Sequence, residues 1–267
     1  MSIDTKNLDS SDLNRILWRY MTFPKYISLI TYGALWFSKL NILVDAYEGA
    51  MPTRADADLM VEYQSSKRYI EPSLHGQIDS VNKRNVEDGR ELILANCWFL
   101  GEAESERMWE EYAAGSEAIA IKSTVAALAQ CVFCDERHSR IGKVKYIDFA
   151  TYEMTRYEAS QAIERAFLKS LSFSHEQEIR IVTLSFKGGN CVNIDGTPMM
   201  PSDYAGAKMN NFDQPGLHIQ VDLRNLIKAT VLAPNAPKWF EQLVKRIVSV
   251  SGVGAPVQRS RFDRTLP

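Results

Sequence analysis

Apolar residues change their spacing several times along this chain, and each change marks an element. "ILWRY" (16–20) is an apolar and aromatic run of strand character, preceded by Ser10 or Ser11 as the cap of a short helix. In "PKYISLITYGALWFSKL", Tyr26, Leu29 and Ile30 recur at helical spacing behind Pro24. Gly33 stands where that helix should stop, and residues 35–38 read as a second short strand. "NILVDAYEGAMPTRADADLM" predicts a loop, with a helix starting near Thr53 or Asp56.

Residues 61–96 are polar and mixed in charge, and predict a poorly packed helical insertion or lid over a site. Strand character returns at "ILANCWFL". "ESERMWEEYAAGSEAIAIKS" then predicts a helix, a turn at Gly115 and a strand, and "STVAALAQCVF" a helix capped by Ser123 or Thr124. "IGKVKYIDF" reads as a strand, "TYEMTRYEASQAIERAFLKSL" as an amphipathic helix and "EQEIRIVTLSF" as a strand. "GLHIQVDL" and "IKATVLAPNA" are further strands, and "PKWFEQLVKRIVSVSG" a final helix. Short strands scattered among helices without regular βαβ spacing predict an α+β fold. Its central sheet is mixed or antiparallel and flanked by helices, in one domain over 1–267.

Composition narrows the function classes. The 267 residues are 45% hydrophobic and 24% charged with a formal charge of −2, so nucleic acid is not held by bulk charge. No run approaches the roughly 18–20 apolar residues of a membrane span, and the N-terminus lacks the regions of a signal peptide. The expectation is a cytoplasmic protein with no membrane partner, whose Cys97, Cys131, Cys134 and Cys191 stay thiols.

The chemistry concentrates in "FSHEQEIRIV" (173–182), where His175, Glu176, Glu178 and Arg180 crowd the start of a strand ending in Ile179, Ile181 and Val182. Such groups are costly to bury unless paired. Two readings stay open: a wet edge of a half-buried strand, or a cleft in which an extended Glu-x-Glu points both carboxylates to one side. Asp45, Tyr47, Glu48 and Gly49 form a second cluster that suits a turn equally well. Trp109 and Tyr112, at i, i+3, are expected in the core. Cys131, Cys134 and His138 have the spacing of three zinc ligands without an adjacent fourth, and no metal is expected. No Walker loop, dinucleotide glycine fingerprint or nucleophile elbow occurs.

The stretch "LWRYMTFPKYISLITYGALWFSKLNILVDAYEG", followed in order by "CWFLGEAESERMWEEYA", "KVKYIDF", "FLKSLSFSHEQEIRIV" and "IKATVLAPNAP", resembles the uncharacterised bacterial domain-of-unknown-function 2971 family over most of the chain. More distantly, the opening strand-helix-Gly-strand pattern resembles ADP-ribosyltransferases, including DarT-type toxins that modify DNA. That second resemblance implies an ADP-ribosyltransferase-like sheet with an Arg on the first strand, a Ser on the second and a Glu-x-Glu before a later one. Arg19, Ser38 and Glu176-Gln177-Glu178 stand in that order, although Lys39 follows Ser38 where a Ser-Thr-Ser strand is common.

The resemblance implies NAD as substrate, with Glu178 at its ribose and Glu176 at the acceptor as the catalytic pair. It also implies Arg19, Ser38 and Tyr47 at the cofactor, and His175 and Arg180 as substrate contacts. The acceptor would be nucleic acid or protein, and the setting a toxin or phage-defence effector with an antitoxin or defence-system partner. Two rivals remain. In a metal-dependent nuclease, Asp45, Glu48, Glu176 and Glu178 would hold Mg²⁺ while Lys39 or Arg180 balanced phosphate. In a non-enzymatic sensor or interaction module, residues 61–96 would bind a partner.

Overall fold

The structure, a computed structural model, describes residues 4–53, 65, 72, 90, 93–132, 139–155, 158, 162–184, 191–192 and 214–264. The strands are β1 (Asp4–Lys6), β2 (Ile16–Thr22), β3 (Ala34–Lys39), β4 (Ile93–Leu100), β5 (Ala118–Thr124), β6 (Ser139–Lys143), β7 (Lys145–Ile147), β8 (Leu168–Ser170), β9 (Glu178–Leu184), β10 (Cys191–Val192), β11 (Gly216–Gln220), β12 (Ala229–Leu232) and β13 (Val257–Arg259). The helices are α1 (Phe23–Tyr32), α2 (Glu106–Tyr112), α3 (Val125–Cys131), α4 (Ala162–Arg165), α5 (Leu223–Leu226) and α6 (Lys238–Ser251).

Among the described residues, 11 strands form one mixed sheet in the order β1-β6-β9-β4-β2-β5-β12-β13, with β3 joined to β4, β11 to β3 and β10 to β11. The β1–β6 and β12–β13 pairs are parallel, and the others in this sheet antiparallel. The architecture is therefore α+β around a mixed central sheet.

The segment that shapes the site is β2-α1-β3. Pro24 opens the helix, where its missing N–H is no loss, and Gly33 closes it in the left-handed region at φ 60°, its N–H donating to the Leu29 carbonyl. Tyr26 and Leu29 of α1 pack with Leu17 and Met21 of β2 and Leu35 and Phe37 of β3 in the largest apolar cluster. α6 closes the same core through Phe240, Val244 and Val248. Trp18, Tyr20, Phe99, Met108 and Trp109 form a second cluster.

Strand β4 explains where an opening can form. One of its edges pairs with β9 from Ile93 to Phe99. The other pairs with β3 at Leu94 and Ala95 and with β2 at Phe99 and Leu100. β2 and β3 thus diverge from one edge, leaving Asn96, Cys97 and Trp98 between them. Side chains take over the freed hydrogen bonds: Arg19 Nη1 donates to the Cys97 carbonyl at 2.7 Å, and Asn96 Nδ2 to the Trp36 carbonyl at 2.8 Å. Unpaired backbone groups would be costly at such a gap.

Gly216 stands opposite Ser38 in the β3–β11 register. A Cβ there would lie 2.1 Å from the Phe37 carbonyl oxygen and 2.7 Å from the Trp36 ring. Gly216→Ala is expected to cost about 1–3 kcal/mol by overpacking, seen as a lower urea midpoint. An unchanged midpoint would contradict this strand pairing.

Several elements differ from the sequence expectation. Asp9, rather than Ser10 or Ser11, caps the first 3₁₀ turn, its Oδ1 accepting from Ser11 N at 2.8 Å. "IGKVKYIDF" divides at Val144 into β6 and β7, which belong to different sheets. "FLKSL" is not the end of a helix: Leu168–Ser170 pairs in parallel with Lys145–Ile147, and a 3₁₀ turn, Leu171–Glu176, follows. The local apolar pattern suited either state, and pairing with β7 decided it. The expected insertion at 61–96 lies outside the described residues except at 65, 72, 90 and 93–96, the last being the start of β4; Asp56 is also outside. Among the described residues, no helix is long and apolar enough to cross a membrane.

Candidate functional site

A cleft of about 850 Å³ opens where β2 and β3 part, within the size range of small-molecule and cofactor sites. Its walls come from α1, β2, β3 and β4. Glu48, Tyr112, Lys169, Glu176, Glu178, Arg180 and His218 also line it.

The charged part is assembled by a local backbone device. Glu176 ends the 3₁₀ turn, Gln177 takes the left-handed conformation at φ 41°, and Glu178 begins β9. The pair is therefore not the extended Glu-x-Glu that the sequence suggested, yet both carboxylates meet at Lys169. Its Nζ donates to Glu176 Oε2 at 2.5 Å and to Glu178 Oε1 at 2.8 Å. Tyr112 at the end of α2 donates its hydroxyl to Glu176 Oε1 at 2.7 Å. Arg180 grips Glu48 through both terminal nitrogens at 2.6 and 2.8 Å, and its Nε donates to Glu178 Oε2. Arg180 Nη1 also reaches the Ala166 carbonyl at 2.8 Å. Glu48, Glu176, Glu178, Lys169 and Arg180 are all buried, so the wet-edge reading does not hold. Such burial is tolerated only because every charge has a partner.

The two carboxyls are driven apart in proton affinity. Burial, then the hydrogen bond and charge of Glu178, push Glu176 up to about 8 against the pull of Lys169. Burial would raise Glu178 as well, but the Arg180 guanidinium outweighs it, helped by Glu176 and Lys169, and holds it below the usual carboxylate range. At neutral pH the pair thus keeps one proton, on Glu176. Glu48 and Glu178 then balance Lys169 and Arg180. Burial and the Glu178 charge push the Cys97 thiol up to about 12, so it is no nucleophile at neutral pH. Burial and the Glu176 charge likewise raise Tyr112, keeping its hydroxyl a donor.

A pH dependence follows with a definite sign. The unfolded chain releases the Glu176 proton near 4.5 and the native protein near 8, so between these values the native state binds more protons. This contribution to stability is complete below about pH 4.5 and is lost as pH rises through about 8. Glu178 acts in the opposite sense, its contribution being present above its unfolded value and lost as pH falls. Glu176→Gln is expected to flatten the decline of the urea midpoint between pH 5 and 8. An identical decline in the variant would contradict a shared proton at this pair.

Arg19, Ser38, Glu176, Glu178 and Arg180, drawn from separate stretches of the sequence, all line the cleft. Arg180 has no exposed surface, and Glu48, Glu178 and Ala166 engage all three of its nitrogens, so it holds the carboxylates rather than facing a substrate. Tyr47 and His175 are not among the lining residues. Tyr47 is 55% exposed and stacks on Phe149 at 5.1 Å. His175 Nε2 pairs with Glu111 at 2.9 Å. Trp109 is in the core as expected, whereas Tyr112 is 39% exposed with its hydroxyl turned to Glu176. Sequence reasoning missed Lys169, Tyr112 and His218 as site residues. A lone lysine in the apolar run "RAFLKSLSF" is the one signal that could have drawn attention to Lys169.

The carboxylates named for Mg²⁺ in the nuclease reading already have partners in the structure. Lys169 and Arg180 hold the oxygens of Glu48 and Glu178, and Lys169 and Tyr112 those of Glu176. Both Asp45 oxygens accept backbone N–H groups, from Tyr47 at 2.9 Å and Ser170 at 2.8 Å, as a turn requires. Of the zinc-spaced trio, Cys131 is buried in the main apolar cluster, and Cys134 and His138 lie outside the described residues.

Comparisons with family models, with curated proteins and with solved structures find no match to this chain.

Proposed function

We propose that the protein is an ADP-ribosyltransferase-like enzyme that cleaves NAD and passes ADP-ribose to a macromolecular acceptor. The observation that carries this reading is the convergence of Arg19, Ser38, Glu176 and Glu178 on one cleft. Breaking the bond between nicotinamide and ribose develops positive charge on the sugar. Glu178, ionised and fixed by Lys169 and Arg180, is suited to stabilise that charge and hold a ribose hydroxyl.

Arg19 makes one hydrogen bond among the described residues, to Cys97, and lies over the Trp98 ring at 5.9 Å. Its remaining N–H donors suit a pyrophosphate. Ser38 Oγ accepts from Trp36 Nε1 at 3.1 Å, which fixes the hydroxyl at the cleft wall for a ribose. Glu176 takes the acceptor's proton, which requires that it first lose its own; transfer therefore speeds up as pH approaches about 8.

The acceptor is nucleic acid or protein, and the setting a cytoplasmic toxin or phage-defence effector with an antitoxin or defence-system partner, as the family resemblance suggests. The test is NAD labelled in its adenine moiety, incubated with the protein and a bacterial lysate. Label entering a nuclease- or protease-sensitive fraction is expected and identifies the acceptor class. No label in any fraction would count against transfer.

A further inference from the structure

The opposite end of the cleft has a different chemistry. His218 on β11 stands across from Trp36 in the β3–β11 register, so the two side chains leave the same face of the sheet as Ser38. The imidazole lies 4.7 Å from the Tyr32 ring and 4.9 Å from that of Trp36. All three residues line the cleft. His218 is only 6% exposed, and burial lowers its proton affinity, so the ring is neutral at pH 7.

A neutral imidazole has one donor and one acceptor nitrogen. Nε2 meets Ser28 Oγ at 3.2 Å, while Nδ1 is buried with no partner among the described residues. A buried polar atom left unpaired in a cleft wall calls for a partner.

The position along the cleft says which partner. Crossing from β9 to β11 takes three strand steps, β9-β4-β3-β11, about 14 Å at ordinary strand spacing. Glu178 begins β9, Ser38 stands on β3 between the two ends, and His218 on β11, with Trp36 opposite it, forms the far wall. The nicotinamide of NAD is bonded directly to the ribose that Glu178 would hold and does not reach three strands away.

We propose that Tyr32, Trp36 and His218 form a nucleobase subsite that takes the purine of a nucleotide ligand, its ring against the aromatic side chains and its edge hydrogen-bonded to His218 Nδ1. The choice of purine rests on the NAD reading; the recognition of a base at these residues does not. Nδ1 is shut from water by its neighbours, so a ring beside it must move for the base to reach it; Tyr32, in the last turn of α1, and Trp36, on β3, are both half-buried.

The experiment is binding of AMP and of nicotinamide, each alone, to the full chain, followed by tryptophan fluorescence and ligand-observed NMR. AMP is expected to bind the wild type and to compete with NAD. His218→Phe keeps a ring between Tyr32 and Trp36 but removes both nitrogens, and is expected to weaken AMP about tenfold while leaving nicotinamide unchanged. Tyr32→Leu, at a half-buried position, provides a second variant should His218→Phe not fold, and is expected to weaken AMP about as much. AMP affinity unchanged in both variants would overturn the subsite, as would a wild type that does not bind AMP at millimolar concentration. AMP binding that depends on His218, in a protein that releases no nicotinamide from NAD, would uphold the subsite and contradict the proposed transferase.

Discussion

Arg180→Met is expected to destabilise the protein by about 3–5 kcal/mol, the range for removing one partner of a buried ion pair. Methionine keeps much of the side-chain volume, so the loss comes from the charge. Arg180 supplies both hydrogen bonds of its fork to Glu48, a third to Glu178 and a fourth to the Ala166 carbonyl, all without exposed surface. Without it, the Glu48 carboxylate retains only Lys169, at 3.4 Å, as a cation partner among the described residues. Glu178 keeps Lys169 but loses the cation that most opposes its burial, so its proton affinity rises.

Adding Glu48→Leu to Arg180→Met removes the stranded carboxylate, and the double variant is expected to recover part of the loss, because a buried pair replaced as a unit is often near neutral. Equilibrium urea unfolding of the three proteins checks this. A single-variant loss under about 1 kcal/mol would mean that these charges are solvated and not buried as described.

The fold was legible where local signals are strong. Pro24 and Gly33 bracket α1, Thr124 caps α3 by accepting from Ala127 N, and the apolar period of "PKWFEQLVKRIVSVSG" becomes α6. Those signals act within a turn or two and do not depend on the rest of the chain. β8 was illegible because three residues of strand are fixed by pairing with Lys145–Ile147, more than twenty positions away in sequence. The division of the sheet at β4 was hidden for a similar reason, since "ILANCWFL" does not reveal that two different strands share one of its edges.

At the site, the resemblance placed Arg19, Ser38, Glu176 and Glu178 in one list, but not the means by which they meet. Gln177 carries no sequence mark of a left-handed residue, and neither glycine nor asparagine flags the turn. Tyr112 was read as core because it stands at i, i+3 from Trp109, and a lone lysine in an apolar run does not reveal which carboxylates Lys169 will meet. Arg180 was legible as a charge in a strand, though its role as the partner of Glu48 needed coordinates, the two being separated by 132 positions.

The second large effect concerns Glu178 itself. If it stabilises the developing charge on ribose, Glu178→Gln removes the negative charge while keeping the side-chain shape, and the rate of NAD cleavage is expected to fall by about 10²–10³-fold or more. Lys169 and Arg180 then face a neutral amide, which also affects stability, so folding of the variant is verified by circular dichroism before rates are compared. Binding of NAD should change far less than the rate, because the contacts assigned to Arg19 and Ser38 remain.

The most direct measurement is therefore nicotinamide release from NAD by the purified wild type and by Glu178→Gln, with a bacterial lysate supplying the acceptor. A transferase site built on Glu178 gives release by the wild type that is lost in the variant while NAD still binds. Equal release by both folded proteins, or none by the wild type at millimolar NAD, would contradict it.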